Sequence, residues 1–177
     1  MAFDFTQDHF ALFGLPRAFR LDAAALENAY RALQSQYHPD RAASLPDADK
    51  RLALQAATRV NEAFQVLKSP LARARYLLQL AGVDTQEETN TSMPAAFLMQ
   101  QMEWREAVAD ARSEGRVEAL DALADELRAE TRRLEGDLAR GLDDQPDHAL
   151  VALTVRKLRF LEKLDQEIGD AVELLLD

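Results

Sequence analysis

The 177-residue chain contains no cysteine, and glycine and proline occur only six times each. The absence of cysteine excludes a disulfide framework, a thiolate zinc site and a cysteine nucleophile. The apolar runs are a few residues long, well short of the ~20 residues that a membrane-spanning helix needs. The N-terminal sequence is acidic and lacks an apolar core, so we expect neither a signal peptide nor a transit peptide. These absences predict a cytoplasmic protein that does not enter membranes.

Acidic side chains outnumber basic ones by 31 to 21, which gives a formal net charge of −10. This balance disfavours a protein that binds nucleic acid through the phosphate backbone. The charge is also uneven, because residues 1–80 hold 10 basic and 8 acidic side chains, whereas residues 81–177 hold 11 and 23. A net charge of +2 in one part and −12 in the other predicts two regions with different roles.

The periodicity of the apolar residues is helical throughout, and no stretch alternates with a period of two. In the first half we expect helices at about 7–13, from 23 to the residue before Pro39, at 47–68 and at 70–80, with a loop at 41–46. Asp22 and Ser69 are candidate N-caps, and Gly82 marks a helix end. Residues 1–82 are therefore predicted to form a small domain built on a helical hairpin.

The second half begins with a polar, unpatterned segment, residues 83–93, which we interpret as a linker. Three long helices are expected after it, at about 94–112, 117–140 and 147–176, with a turn at 141–146. Their apolar positions recur every three to four residues, and short connections join them. The predicted fold class is therefore all-α, with the N-terminal helical hairpin followed by an antiparallel three-helix bundle in residues 94–177.

The tripeptide His38-Pro39-Asp40 lies between the second and third predicted helices. Pro39 fixes the backbone and removes a hydrogen-bond donor, and Asp40 offers a carboxylate that can accept a partner's arginine. His38 can donate or accept a hydrogen bond at neutral pH. The tripeptide alone also fits a helix-terminating turn whose histidine and aspartate are merely solvated. A catalytic His–Asp pair is disfavoured, because no nucleophile or glycine-rich phosphate loop is evident near it.

The surroundings of the tripeptide resemble the J-domain of DnaJ-type co-chaperones. The resemblance is carried by Leu15-Pro16 after a short aromatic helix, by AYRALQSQYHPDR at 29–41 and by NEAFQVL at 61–67. It implies docking on a DnaK-class chaperone and stimulation of its ATP hydrolysis. The docking residues that it implies are His38, Pro39, Asp40, Arg41 and Arg31.

The second predicted helix departs from the general J-domain pattern, which has several lysines and arginines there. Asn28 and Ala32 occupy positions where that pattern is often basic, and Arg31 is the basic residue that the helix offers. Charge that attracts the partner raises the association rate, so its loss slows docking. We therefore expect weaker electrostatic steering, or a match to a specialised chaperone.

Helical geometry separates two apolar faces on the first helix of the bundle. At about 100° per residue, Phe97 and Trp104 fall on one line, whereas Leu98, Met99 and Met102 cover another face. Both faces cannot easily pack into one three-helix core. The second face is either a surface for a partner, which methionine suits because it adapts to shape, or it is covered, by a broad core with helices buried on two sides or by the J-domain-like half.

Two stretches behind the J-domain-like half resemble the HscB family, the J-type co-chaperones of iron–sulfur cluster assembly. They are FLMQQMEWRE at 97–106, in which Gln100 replaces an acidic residue of the family pattern, and TVRKLRFL at 154–161. The resemblance implies that the bundle holds an IscU-type iron–sulfur scaffold and delivers it to a DnaK-class chaperone of the HscA type. The scaffold contacts that it implies are Leu98, Met99, Met102, Glu103, Glu106 and Phe160.

Other functions remain open on the sequence: a J-domain adaptor for a different client, a helical nucleic-acid binder and a hydrolase that uses His38. The basic cluster at 156–159 lies among acidic residues, which disfavours the second, and no catalytic constellation supports the third. The histidines, His9, His38 and His148, show no pairing typical of a metal site. The resemblance implies a non-enzymatic protein without a cofactor or metal, of the bacterial form because it lacks the N-terminal cysteines of some eukaryotic members.

Overall fold

The computed structural model describes residues 3–177, and the chain divides between Leu80 and Ala81 into two compact units. The part of the chain that the structure describes contains no strand, and the all-α fold class predicted from the sequence is confirmed. The helices of the first unit are α1 (His9–Leu12), α2 (Ala23–Gln36), α3 (Pro39–Ala42), α4 (Asp47–Lys68) and α5 (Pro70–Leu80). Those of the second unit are α6 (Ala95–Ser113), α7 (Val117–Ala139) and α8 (His148–Leu176).

The core of the first unit is formed mainly by α1, α2 and α4. Its buried side chains are Phe10, Phe13, Leu26, Val60, Ala63, Phe64 and Leu67. Tyr30 stacks on Phe64 with ring centroids 3.9 Å apart, and its hydroxyl donates a hydrogen bond to Asn61 Oδ1 at 2.8 Å. These contacts join α2 to α4, so the apolar positions of the stretch at 61–67 hold the helical hairpin together.

The short helix α3 replaces the beginning of the loop that we predicted at 41–46. Pro39 occupies its first turn, where proline costs no intrahelical hydrogen bond and its fixed φ suits the helix. The side chain of His38 caps this turn, and the connection to α4 is left with residues 43–46. The periodicity of the sequence did not reveal α3, because four residues are too few to form an apolar stripe.

The core of the second unit lies chiefly along α7 and α8. Its large side chains are Leu120, Leu127, Leu134, Leu138, Val151, Val155, Leu158, Leu161, Leu164 and Ile168. The turn predicted at 141–146 begins as a π-helical turn, Arg140–Asp144, that continues from α7. A Cβ added at Gly141 would lie 2.6 Å from Val151 Cγ2. A side chain at this position would therefore force the turn or Val151 to shift, which favours glycine where the turn approaches α8.

Residues 84–93, most of the predicted linker, form an ordered segment of the second unit that we call the strap. Arg156 Nη1 on α8 donates a hydrogen bond to the carbonyl oxygen of Thr85 at 3.0 Å, and Arg159 forms an ion pair with Glu88. Within the strap, Asp84 Oδ1 accepts a hydrogen bond from the backbone N–H of Gln86 at 2.9 Å. The strap is thus held both by its own turns and by α8.

Candidate partner-binding sites

The tripeptide His38-Pro39-Asp40 forms the N-terminal cap of α3. Nδ1 of His38 accepts a hydrogen bond from the backbone N–H of Asp40 at 3.2 Å. The Asp40 carboxylate lies 3.5 Å from the same nitrogen, and its side chain is 91% exposed. The cap therefore fixes the backbone and leaves the carboxylate accessible to a partner.

The other residues predicted to dock a chaperone lie around this cap. A shallow surface depression is lined by Arg31, Gln34, Ser35, His38, Asp40 and Arg41. Arg31 Nη2 is 3.0 Å from Glu27 Oε1, one helical turn earlier on α2. This intrahelical ion pair offsets part of the charge of Arg31. The structure thus brings the predicted docking residues together on a surface of modest positive charge.

The outer face of α6 exposes the apolar side chains that the sequence analysis separated from the core. Leu98, Met99 and Met102 are 43%, 63% and 72% exposed, whereas Phe97 and Trp104 are buried. The two faces predicted from helical geometry are therefore both present, and the three helices of the bundle bury only one of them.

A hydrogen bond fixes the rotation of α6 about its own axis. The indole Nε1 of Trp104 donates to Glu126 Oε1 on α7 at 2.9 Å. Because the indole is buried, a rotation of α6 would break this bond and expose the ring. Glu103 and Glu106, the acidic residues of the predicted scaffold site, are exposed on this helix.

Phe160 belongs to α8, and its ring packs between α8 and α6. It does not lie beside the exposed apolar residues on the outer face of α6. Its ring centroid is 6.0 Å from that of Phe97 and 6.5 Å from that of Trp104, and the guanidinium of Arg105 lies 5.3 Å from it. The side chain is half-buried. Phe160 therefore shares an aromatic cluster with the buried face of α6, and only part of the ring can reach a partner.

A cleft that the sequence did not predict lies beside Phe160. It has a volume of about 300 Å³, and the strap, α6 and α8 line it. Its basic side chains are Arg105, Arg156, Arg159 and Lys163. The spacing of the last three on α8 was the available signal, but the strap that completes the cleft is not visible in any local pattern.

Within residues 3–177, no group of three or more His, Asp or Glu side chains is placed to hold a metal ion. A helix with the length and apolar character needed to cross a membrane is not found in this range either.

The class of protein follows from the fold together with two family models. The model of the DnaJ domain matches residues 8–76, which include α1 to α4 and the capped tripeptide. A model described as the HSCB C-terminal oligomerisation domain matches residues 93–169, which include α6, α7 and most of α8. A helical hairpin with His38-Pro39-Asp40 at the start of α3, joined to this bundle, defines a J-domain co-chaperone.

The relatives identify the family within this class. A co-chaperone protein HscB homolog from Chromobacterium violaceum is 63% identical over 177 residues, 100% of both chains, and one from Azoarcus sp. is 55% identical over 175 residues, 99% of each. Chaperone HscB from Vibrio cholerae has a solved structure that matches with a TM-score of 0.82 at 36% identity, covering 96% of this chain and 99% of that one. For the human co-chaperone protein HscB the TM-score is 0.87 at 30% identity, covering 96% and 84%. The chain belongs to the HscB family, the J-type co-chaperones of iron–sulfur cluster assembly.

Proposed function

We propose that this protein binds an IscU-type iron–sulfur scaffold and delivers it to a DnaK-class chaperone of the HscA type, whose ATP hydrolysis it stimulates. The observation that carries the proposal is the exposed apolar face of α6, present in a chain that also carries the capped His38-Pro39-Asp40 tripeptide. The protein is an adaptor of the bacterial cytoplasm and catalyses no reaction itself. Residues 1–82 serve the chaperone and residues 94–177 serve the scaffold, with residues 83–93 between them in the chain.

The chaperone side of the proposal is supported by the accessibility of Asp40. A carboxylate accepts an arginine guanidinium through two parallel hydrogen bonds, and such charge-assisted pairs are among the strong ones. The His38 cap holds the backbone of Asp40 in one conformation, so little conformational entropy remains to be lost on docking. An arginine on the chaperone is therefore the partner that this site fits.

The scaffold side is supported by the apolar area that the bundle leaves uncovered. Burying one Leu or Met side chain fully contributes about 1.5–3 kcal/mol, and the three exposed residues of α6 are already partly covered. Met99 and Met102 adapt to the shape of a partner, and Glu103 and Glu106 can form the polar rim of the interface. The hydrogen bond of Trp104 presents this face in a fixed orientation.

A double substitution of Leu98→Ala and Met102→Ala tests the proposal. Removing both side chains is expected to weaken binding of a purified IscU-type scaffold by on the order of a hundredfold, as measured by isothermal titration calorimetry. The matched control is Leu150→Ala on α8, which removes a leucine of nearly the same exposure, 42% against 43%. Helical circular dichroism is expected to stay unchanged in both variants.

Unchanged scaffold affinity in the double variant would contradict the assignment of the α6 face. If the wild-type protein stimulates the chaperone but does not bind the scaffold, the J-domain serves a different client. That result would replace the proposed function with the alternative adaptor.

A further inference from the structure

The cleft beside Phe160 concentrates positive charge in the acidic part of the chain. Residues 81–177 hold 23 acidic and 11 basic side chains, yet four of the basic ones line this single cleft of about 300 Å³. They come from two helices, Arg105 from α6 and the other three from α8. Such convergence of like charges is unfavourable unless anionic groups are close by.

The strap supplies part of the compensating charge. Glu88 forms an ion pair with Arg159, Glu87 also lines the cleft, and the backbone carbonyl of Thr85 accepts a hydrogen bond from Arg156. Arg105 is held more loosely, because its Nη1 lies 3.6 Å from Glu167 Oε2 on α8 and its side chain is well exposed. Lys163 is exposed and lines the same cleft. The cleft therefore keeps accessible positive charge despite the strap.

The cleft adjoins the exposed apolar face of α6. Arg105 follows Leu98 by seven residues, which places the two side chains about 20° apart around the helix axis. Gln101, one turn before Arg105, also lines the cleft. A partner that covers Leu98 and Met102 would therefore reach the cleft without leaving the surface of the second unit.

We propose that this cleft binds an acidic segment of a partner protein. Carboxylates of the segment pair with Arg105, Arg159 and Lys163, and an apolar side chain of the segment packs on the exposed part of Phe160. Glu88 acts as an internal competitor for Arg159, because its carboxylate is 78% exposed and a partner's carboxylate can take its place on the partly buried guanidinium. The inference deepens the proposed function, since the segment belongs to the protein held on the α6 face.

The direct test uses two synthetic peptides with the full-length protein. One peptide contains glutamates on both sides of a single leucine, and the other has lysine in place of every glutamate. Isothermal titration calorimetry at low salt is expected to show binding of the glutamate peptide at least about tenfold tighter than that of the lysine peptide. Added salt should weaken this binding, because it screens exposed charges.

Substitutions of single charges locate the binding. Lys163→Gln and Arg159→Gln are each expected to weaken binding of the glutamate peptide about two- to fivefold, and Glu88→Gln to strengthen it by a similar factor. Arg128→Gln is the matched control, because Arg128 is an exposed arginine of α7 in an ion pair with Asp125, outside the cleft. Its peptide affinity should equal that of the wild type.

Equal affinity for the two peptides, or no change in Lys163→Gln and Arg159→Gln, would overturn the inference. The double variant Leu98→Ala with Met102→Ala separates this test from that of the proposed function, because it leaves the cations of the cleft in place. Peptide binding without any scaffold binding would support the cleft and contradict the proposed client. Scaffold binding without peptide binding would contradict the proposed role of the cleft and leave the proposed function unaffected.

Discussion

The two units of this chain present their candidate sites in opposite ways. In the first unit, polar side chains at the start of the four-residue helix α3 are held by a local cap between His38 and Asp40. In the second unit, apolar side chains on the 19-residue helix α6 are left uncovered by the bundle, and a distant contact with α7 fixes their orientation. A polar site can thus be built by neighbours in sequence, whereas an apolar face depends on which side of a helix the tertiary core covers.

The largest effect we expect comes from the polar site. Asp40→Asn should reduce stimulation of the chaperone's ATP hydrolysis by on the order of thirtyfold or more, because the amide cannot replace a carboxylate that accepts an arginine. The side chain is 91% exposed, so the melting temperature of the protein should hardly change. Steady-state ATPase assays measure the effect.

Asp47→Asn provides the control for this substitution, since Asp47 is also an exposed aspartate in the first turn of a helix. Its variant should stimulate the chaperone as the wild type does. Full stimulation by Asp40→Asn would show that the capped tripeptide is only a structural turn.

A pair of glycine substitutions tests how closely the second unit is packed. Gly141→Ala places a Cβ 2.6 Å from Val151 Cγ2 and should lower the free energy of unfolding by about 1–3 kcal/mol. Gly136→Ala on α7 meets no atom within 4 Å and should raise it by about 0.5–1 kcal/mol, because alanine favours a helix more than glycine does. Urea unfolding measures both. Equal effects of the two substitutions would contradict the close approach of the π-helical turn to α8.

Trp104→Phe tests whether a distant contact sets the orientation of the apolar face. Loss of the hydrogen bond to Glu126 should lower the free energy of unfolding by about 1 kcal/mol and weaken scaffold binding, although Trp104 itself is buried. Calorimetry with the scaffold measures the second effect. Glu126→Gln keeps an acceptor for the indole N–H and should change scaffold affinity less. If the two variants bind alike, rotation of α6 does not control the site.

The smallest expected effect is a pH dependence confined to the first unit. Burial, followed by the positive charge of Arg59, holds the pKa of His9 below its ordinary value of 6.5, although Asp8 and Glu62 oppose the shift. The unfolded chain then binds the proton more readily than the folded one. The contribution of neutral His9 to the free energy of unfolding is therefore fully present above pH 6.5. It decreases as the pH falls toward the pKa of His9 in the folded state.

His9→Gln removes this group and should flatten the decrease, whereas His148→Gln, in the second unit and exposed, should leave it unchanged. Thermal unfolding followed by NMR signals from each unit distinguishes the two cases. A decrease of the same size in both units would show that His9 is not its cause.

The sequence was informative where local patterns determine structure. The bounds of α4, Asp47–Lys68, coincide with the prediction, because acidic residues mark its start and Ser69-Pro70 follows its end. The opposite faces of α6 followed from helical geometry alone. The candidate docking residues were found through a motif that is contiguous in the chain. In each of these cases the determining residues lie within a few helical turns of one another.

Features that depend on distant residues could not be predicted in this way. The strap is held on α8 through Thr85 and Arg156, which lie 71 positions apart. The π-helical turn depends on the missing Cβ of Gly141 opposite Val151. Phe160 is a residue of α8, and its side chain packs toward α6. This direction follows from tertiary packing, since α8 has apolar residues on several sides. The cleft is formed by the strap, α6 and α8 together. The periodicity of one helix therefore could not predict it.

The buried position of Trp104 gives the molecule separate optical reporters. It is the only tryptophan of the chain, and it lies in the second unit against Phe160 and in contact with Glu126. The three tyrosines, Tyr30, Tyr37 and Tyr76, all belong to the first unit. Emission excited selectively from the indole will therefore follow events at α6, such as arrival of a client, without any attached dye. Tyrosine bands in the second-derivative absorbance spectrum, where they separate from the indole bands, will follow the other unit in the same sample.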